Sequence, residues 1–164
     1  MQPFRIRQDA LTWFKDLYDR KEFKINFDAF YFCFIAGVAG RRKLSLPQDE
    51  TPELVNYFPD HYNGARAHTL IALFLRTELE ELGVTMGEQS EKRDVHAAIA
   101  KLVDYASLSK LSSDGVSVFN QYAHGGFEVL TEWFDDRPRS LETFLRTFKR
   151  KMDVFTAAQD AGRS

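Results

Sequence analysis

The run from Asn26 to Lys43, NFDAFYFCFIAGVAGRRK, constrains the fold more than any other stretch, because aromatic and aliphatic residues follow one another almost without a polar interruption. Its apolar part, Ala29 to Gly40, falls short of the roughly 18 residues that a bilayer span requires, so it predicts a helix buried around most of its circumference. Asn26 or Asp28 is the expected N-cap, and Gly40 the expected left-handed stop. Arg41, Arg42 and Lys43 follow, where cations suit the negative end of the helix dipole. A helix this apolar needs partners on several sides, supplied by the other amphipathic segments or by a second copy of the chain.

Those segments are legible from their spacing. Gln8 to Lys21 places Leu11, Phe14, Leu17 and Tyr18 three and four apart, which predicts an amphipathic first helix. The proline-rich stretch after Lys43 predicts a long surface connection with one helical turn at Pro52 to Tyr57. Asn63 then caps a helix over Ala65 to Leu82, with Leu70, Ile71, Phe74, Leu75, Leu79 and Leu82 facing inward and Gly83 ending it; Glu78, Glu80 and Glu81 are expected to be solvated or paired. A further helix is expected over Lys92 to Ser107. Another runs from Asp114 through Val116, Phe119, Tyr122, Val129, Leu130 and Trp133. Gly125 and Gly126 lie inside it and require a kink, a close backbone approach or a break between two helices. Asp135, Asp136 and Pro138 open the last helix, with the stripe Leu141, Phe144, Leu145, Phe148, Met152 and Phe155 and a frayed tail from Thr156. The fold class is all-α: a compact helical bundle around the aromatic-rich second helix, forming a single domain over residues 1–164.

Composition sharpens this. Fifteen Phe, six Tyr and two Trp in 164 residues imply a well-filled core, a buried subunit interface, or both. The net charge of -2 excludes a uniformly basic nucleic-acid coat, while leaving room for local clusters. The one cysteine, Cys33, sits in the apolar run and reads as a buried, inert thiol. The N-terminus MQPFRIRQDA has no apolar region of the signal-peptide kind, so the cytoplasm is expected and a membrane is not.

No phosphate-cradling loop, dinucleotide glycine fingerprint, HExxH or paired CxxC is present, and no nucleophile-elbow context joins a serine to a histidine. Three weaker constellations remain. His124, Glu128 and Glu132, four apart, would stack on one face of a continuous helix as a partial metal-ligand column, a spacing equally suited to ion pairs. Asp19, Glu22 and Lys24 superficially resemble the acidic pair plus lysine of metal-dependent nucleases, though at a helix end where solvated charges are the alternative. His61, beside Tyr62 and Arg66, is placed as a general base or as an exposed surface histidine. Any cofactor would be a divalent metal such as magnesium.

The cations form the more persuasive pattern. Arg5 and Arg7 precede the first helix; Arg20, Lys21 and Lys24 end it; Arg41, Arg42 and Lys43 end the second. Arg146, Lys149 and Arg150 make a stripe on the last helix. If the first two helices pair as a hairpin, the N-terminal pair lies near the triplet and offers several phosphate anchors, against the alternative of solvated helix faces.

The order of these elements, with Leu11, Leu17 and Arg20 in the opening helix, the aromatic second helix, then ARAHTLIALFLRTELEELGV and VHAAIAKLVDY, resembles the helical core of the DndE-like family of bacterial DNA phosphorothioation proteins. The likeness covers roughly residues 1–105. The C-terminal extension, residues 110–155 with NQYAHGGFEVLTEWF, is more similar to the longer SspB-type members of the family. The resemblance implies a cytoplasmic helical homo-oligomer that engages double-stranded DNA, as a DNA-binding and nicking endonuclease subunit of an anti-phage modification system. It also implies a cysteine desulfurase, an ATPase and a sulfur-transfer protein as partners. Arg41, Arg42 and Lys43 carry over as the matching cationic helix end, and no catalytic residue carries over. The alternative from the residues alone is a non-enzymatic helical subunit that docks on a larger protein.

Overall fold

The computed structural model describes residues 2–83 and 89–162. Among them are seven α-helices and no strand: α1 (Gln8–Trp13), α2 (Lys15–Asp19), α3 (Asn26–Gly40), α4 (Ala65–Glu81), α5 (Gln89–Leu102), α6 (Ser113–Trp133) and α7 (Leu141–Ala161). The all-α expectation holds, and no helix of the described residues is long and apolar enough to cross a membrane. The chain divides into two compact units, the first Met1–Phe4 with Val55–Phe119, the second Arg5–Leu54 with Asn120–Ser164.

In the first unit four rings form the core. Phe4 lies 5.1 Å from Phe58 and 5.5 Å from Phe119, and Phe74 lies 5.3 Å from Phe119, all tilted as their quadrupoles favour. Leu70, Ile71 and Leu79 of α4 are buried beside them as their spacing predicts, but Leu82 is 62% exposed, because the helix has ended at Glu81. Glu78 is buried, and Glu80 pairs with Arg76 at 3.1 Å. The connection before α4 has short 3-10 turns at Gln48–Glu50 in the second unit and at Asp60–Tyr62 in the first, not a helical turn at Pro52 to Tyr57. Gly64, with φ +65, replaces Asn63 as the residue preceding α4, and Asn63 Oδ1 accepts from its amide.

The expected helix over Lys92 to Ser107 ends early, at Leu102. The Leu102 carbonyl accepts from the Ser112 amide at 3.0 Å, and a Cβ on Gly115 would stand 2.0 Å from it, so the chain must turn there to let α6 start. Lys110, at φ 64, closes that turn.

In the second unit the expected first helix is two, α1 and α2, separated by the fully buried Phe14 at φ -89, ψ 8. Ile25 is the N-cap of α3, and Asp28 serves from the third position, accepting from the Lys24 and Ile25 amides at 2.8 and 3.0 Å. Phe27, Phe30, Cys33, Phe34 and Gly37 are all buried, so α3 is enclosed around most of its girth. Its exit differs from expectation by one residue. Arg41, not Gly40, takes the left-handed conformation at φ 50, and the bonds Arg42 N to Gly37 O and Arg41 N to Val38 O complete the terminal motif. Gly40 is needed for another reason: a Cβ there would meet Val129 at 2.9 Å.

The glycine pair neither kinks nor breaks α6; it admits another backbone. A Cβ on Gly126 would lie 1.6 Å from the Cys33 carbonyl, one on Gly37 1.9 Å from the Tyr122 carbonyl, and one on Gly125 2.3 Å from the Arg42 carbonyl. Helices α3 and α6 therefore touch main chain to main chain. Helix α7 starts later than expected, at Leu141 behind the Ser140 cap, and continues past Thr156 to Ala161. It runs beside α3 in the same direction: the Leu141 amide donates to Glu22 at 3.1 Å, and Gln159 Nε2 donates to the Ala39 carbonyl at 2.8 Å. Phe144 is its fully buried anchor, ringed by Phe14, Phe32, Phe134 and Phe148 at 5.0 to 5.6 Å, whereas Leu145 is 40% exposed.

Candidate nucleic-acid interface

All eleven cations singled out by the sequence belong to the second unit, but they sit in different environments. The exit of α3 carries three of them. Arg41 and Lys43 are exposed, and the left-handed turn at Arg41 swings the chain so that Arg42 points to α6, bonding Glu132 with both terminal nitrogens at 2.5 and 3.2 Å. That bond raises the guanidinium pKa and lowers that of the carboxylate. The Lys43 ammonium stands 5.7 Å over the Tyr122 ring.

Arg5 and Arg7 are of a different kind, with side chains only 14% and 13% exposed. Arg5 donates to the Thr51 carbonyl and to Glu53, both at 2.8 Å. Arg7 bonds Asp9, Glu128 and the His124 carbonyl, and lies 4.8 Å over the Phe127 ring. Arg7 and Arg42 thus grip Glu128 and Glu132, one turn apart on α6. The N-terminal pair does approach the triplet, but as part of the scaffold. Replacing Arg7 with alanine is therefore expected to cost about 2 kcal/mol in urea unfolding, because it removes a largely buried guanidinium from the Phe127 ring and leaves the half-buried Glu128 and the exposed Asp9 unpaired. A loss near zero would mean those bonds are solvent-screened.

The remaining candidates are mostly tied to neighbouring acids. Arg20 bonds Glu22 at 2.5 Å, Arg146 bonds Glu142 and Lys149 bonds Asp153, the last two at 2.8 Å in the i,i+4 arrangement of a helix face. Lys21, Lys24 and Arg150 make no ion pair among the described residues. Spacing did not single out Arg137 and Arg139, which sit 3.6 and 4.0 Å from the two oxygens of Asp16. They lie in the DDRPR segment before α7, and only its placement beside α2 reveals them.

The three catalytic or metal constellations do not assemble. Asp19 pairs with Lys15 at 2.5 Å, and Glu22 is divided between Arg20 and the first turn of α7, so the two carboxylates face separate partners. His61, in the first unit, receives Arg66 Nη1 on Nε2 at 2.9 Å. Guanidinium only donates, so that nitrogen's lone pair is taken up. Helix α6 is continuous, yet His124 is 4% exposed while Glu128 and Glu132 turn to Arg7 and Arg42. Among the described residues no three His, Cys, Asp or Glu side chains gather as a metal site. Cys33 is buried, and burial raises its pKa.

Compared with protein-family models, with characterised proteins and with solved structures, the chain finds no match.

Proposed function

We propose that this protein binds the phosphate backbone of duplex DNA through the exit of α3 and does not itself cut it, as a cytoplasmic subunit of a bacterial phosphorothioate modification and anti-phage system. The observation that carries the binding reading is the exposure of Arg41 and Lys43 on either side of Arg42 at the negative end of a 15-residue helix. Phosphates exchange readily with such exposed cations, because counterion release drives their contact. Binding is preferred to cleavage because Asp19, Glu22 and His61 each have a bonded partner already, which leaves none of these three aligned as a base for an attacking water. The system-level assignment rests on the family resemblance of residues 1–105. With it come homo-oligomerisation and the desulfurase, ATPase and sulfur-transfer partners.

A second reading has one observation in its favour: Tyr105 and Leu108, in the turn after α5, are 78% and 60% exposed, which suits docking on a protein partner.

A salt titration of duplex binding by fluorescence anisotropy tests the first reading. Changing Arg41, Arg42 and Lys43 together to alanine is expected to weaken affinity and flatten the slope of log affinity against log salt by about one unit per lost phosphate contact. An unaltered slope removes this patch from the interface. Supercoiled plasmid is expected to stay closed with or without magnesium; accumulation of open circles from pure protein would reinstate nicking.

A further inference from the structure

His124 is a buried titratable group that neither the proposed interface nor the scaffold pairs account for. It is 4% exposed, and neither ring nitrogen makes a hydrogen bond of ordinary geometry, although backbone groups of Leu44 and Arg5 lie against the ring. Its helix turn holds the extended Arg5–Arg7 segment. The Arg5 amide donates to Asn120 Oδ1 at 3.0 Å, Arg7 Nη1 donates to the His124 carbonyl at 3.3 Å, and the Arg7 guanidinium bonds Glu128.

The charges around the ring come from three elements. The N-terminal segment brings Arg5, Arg7 and Asp9; α6 brings Glu128; the Arg42–Leu44 connection, packed on Gly125, brings Arg42 and Lys43. The nearby carboxylates are already paired, Glu53 with Arg5, Asp9 and Glu128 with Arg7, and Glu132 with Arg42. The Arg5 Nε is itself buried without a partner. A proton on His124 therefore adds a further positive charge beside two guanidiniums, away from water.

We infer that His124 is an acid-sensitive latch: when its ring takes up a proton, the Arg5–Arg7 segment is released from α6. Burial chiefly, then Arg7 and Arg5, lowers the ring's pKa, against a smaller raising effect of the Leu44 and Arg5 backbone. The open state restores an ordinary histidine near 6.5 and so binds the proton more tightly than the closed state. Closure is consequently unaffected by pH well above 6.5 and weakens as pH falls below it, until the closed-state ring also titrates.

Amide hydrogen exchange of the full chain, followed by NMR, reads this directly. Protection of the Arg5 amide, corrected for intrinsic exchange chemistry, is expected to fall by up to about tenfold per pH unit below 6.5, one proton being linked to opening, while the amides of α3 keep theirs. In His124→Gln the acid dependence disappears. Flat protection in the parent, or the same slope in His124→Gln, overturns the latch. Should that variant not fold, the ring's own NMR titration decides. An inflection below 6.5 accompanied by loss of Arg5 protection supports the latch, and one at or above 6.5, or protection unchanged across it, overturns it.

Discussion

Gly126→Ala is expected to cost the second unit about 3 kcal/mol or more, a loss reserved for substitutions that force backbones apart. The added methyl would sit 1.6 Å from the Cys33 carbonyl and 2.6 Å from the Gly37 nitrogen, and neither atom belongs to a side chain that can rotate away. Relief requires α3 and α6 to separate, and separation exposes the carbonyl-to-glycine seam along with the aromatic packing on either side of it. Urea unfolding monitored by circular dichroism measures the loss, with Gly162→Ala as the control: its Cβ meets only the Ala158 and Gln159 carbonyls at 3.6 Å, so its effect is expected to stay within about 0.5 kcal/mol. A Gly126→Ala curve lying on that of the parent would falsify the contact itself.

The second large effect comes from a side chain. Phe144→Ala is expected to cost about 3–5 kcal/mol, since it removes a fully buried ring from a nest that has little freedom to collapse. Phe14 and Phe32 meet its ring edge-on at 5.3 and 5.0 Å, and Phe134 stacks on it at 5.2 Å with the planes 15° apart, so four elements lose a shared contact at once. Trp13 approaches the same ring at 6.4 Å, so its near-ultraviolet signal should fade with the packing. Leu145→Ala, one residue on and 40% exposed, provides the comparison and is expected to cost under about 1 kcal/mol. Equal costs for the two would mean that α7 is held by its end bonds rather than by its rings.

Periodicity made most of the helices legible. The inward stripe of α4 through Leu79 and the Phe144 anchor follow from apolar residues recurring at three and four, whereas the spacing left a break in α6 at Gly125 and Gly126 open. Boundaries were harder because they depend on events remote in sequence. Helix α5 stops at Leu102, whose carbonyl Gly115 approaches, and Gly40, beside the left-handed Arg41, lies against Val129. The glycine pair was recognisable as needing a reason, and a close backbone approach was among those considered; which backbone came near was not readable. The candidate interface was legible as a set of cations, but not as an electrostatic surface. Nothing in the spacing of Arg5 and Arg7 distinguishes guanidiniums turned onto Glu53 and Glu128 from exposed ones such as Arg41, since the partners of the former lie 48 and 121 residues away. The spacing of His124 to Glu128 suits a metal-ligand pair. Its burial beside two arginines came only with the packing of α6.

The lone cysteine has a practical consequence. Its backbone carbonyl abuts Gly126, its thiol is buried, and burial keeps it protonated, so maleimides and oxidants should pass it by while the chain is folded. The native sequence thus behaves as thiol-free toward labelling chemistry. A fluorophore or spin probe can be directed to one engineered cysteine, at Tyr105 or Val154 for example, without first removing the natural one. Conversely, the moment Cys33 becomes reactive marks the parting of α3 from α6.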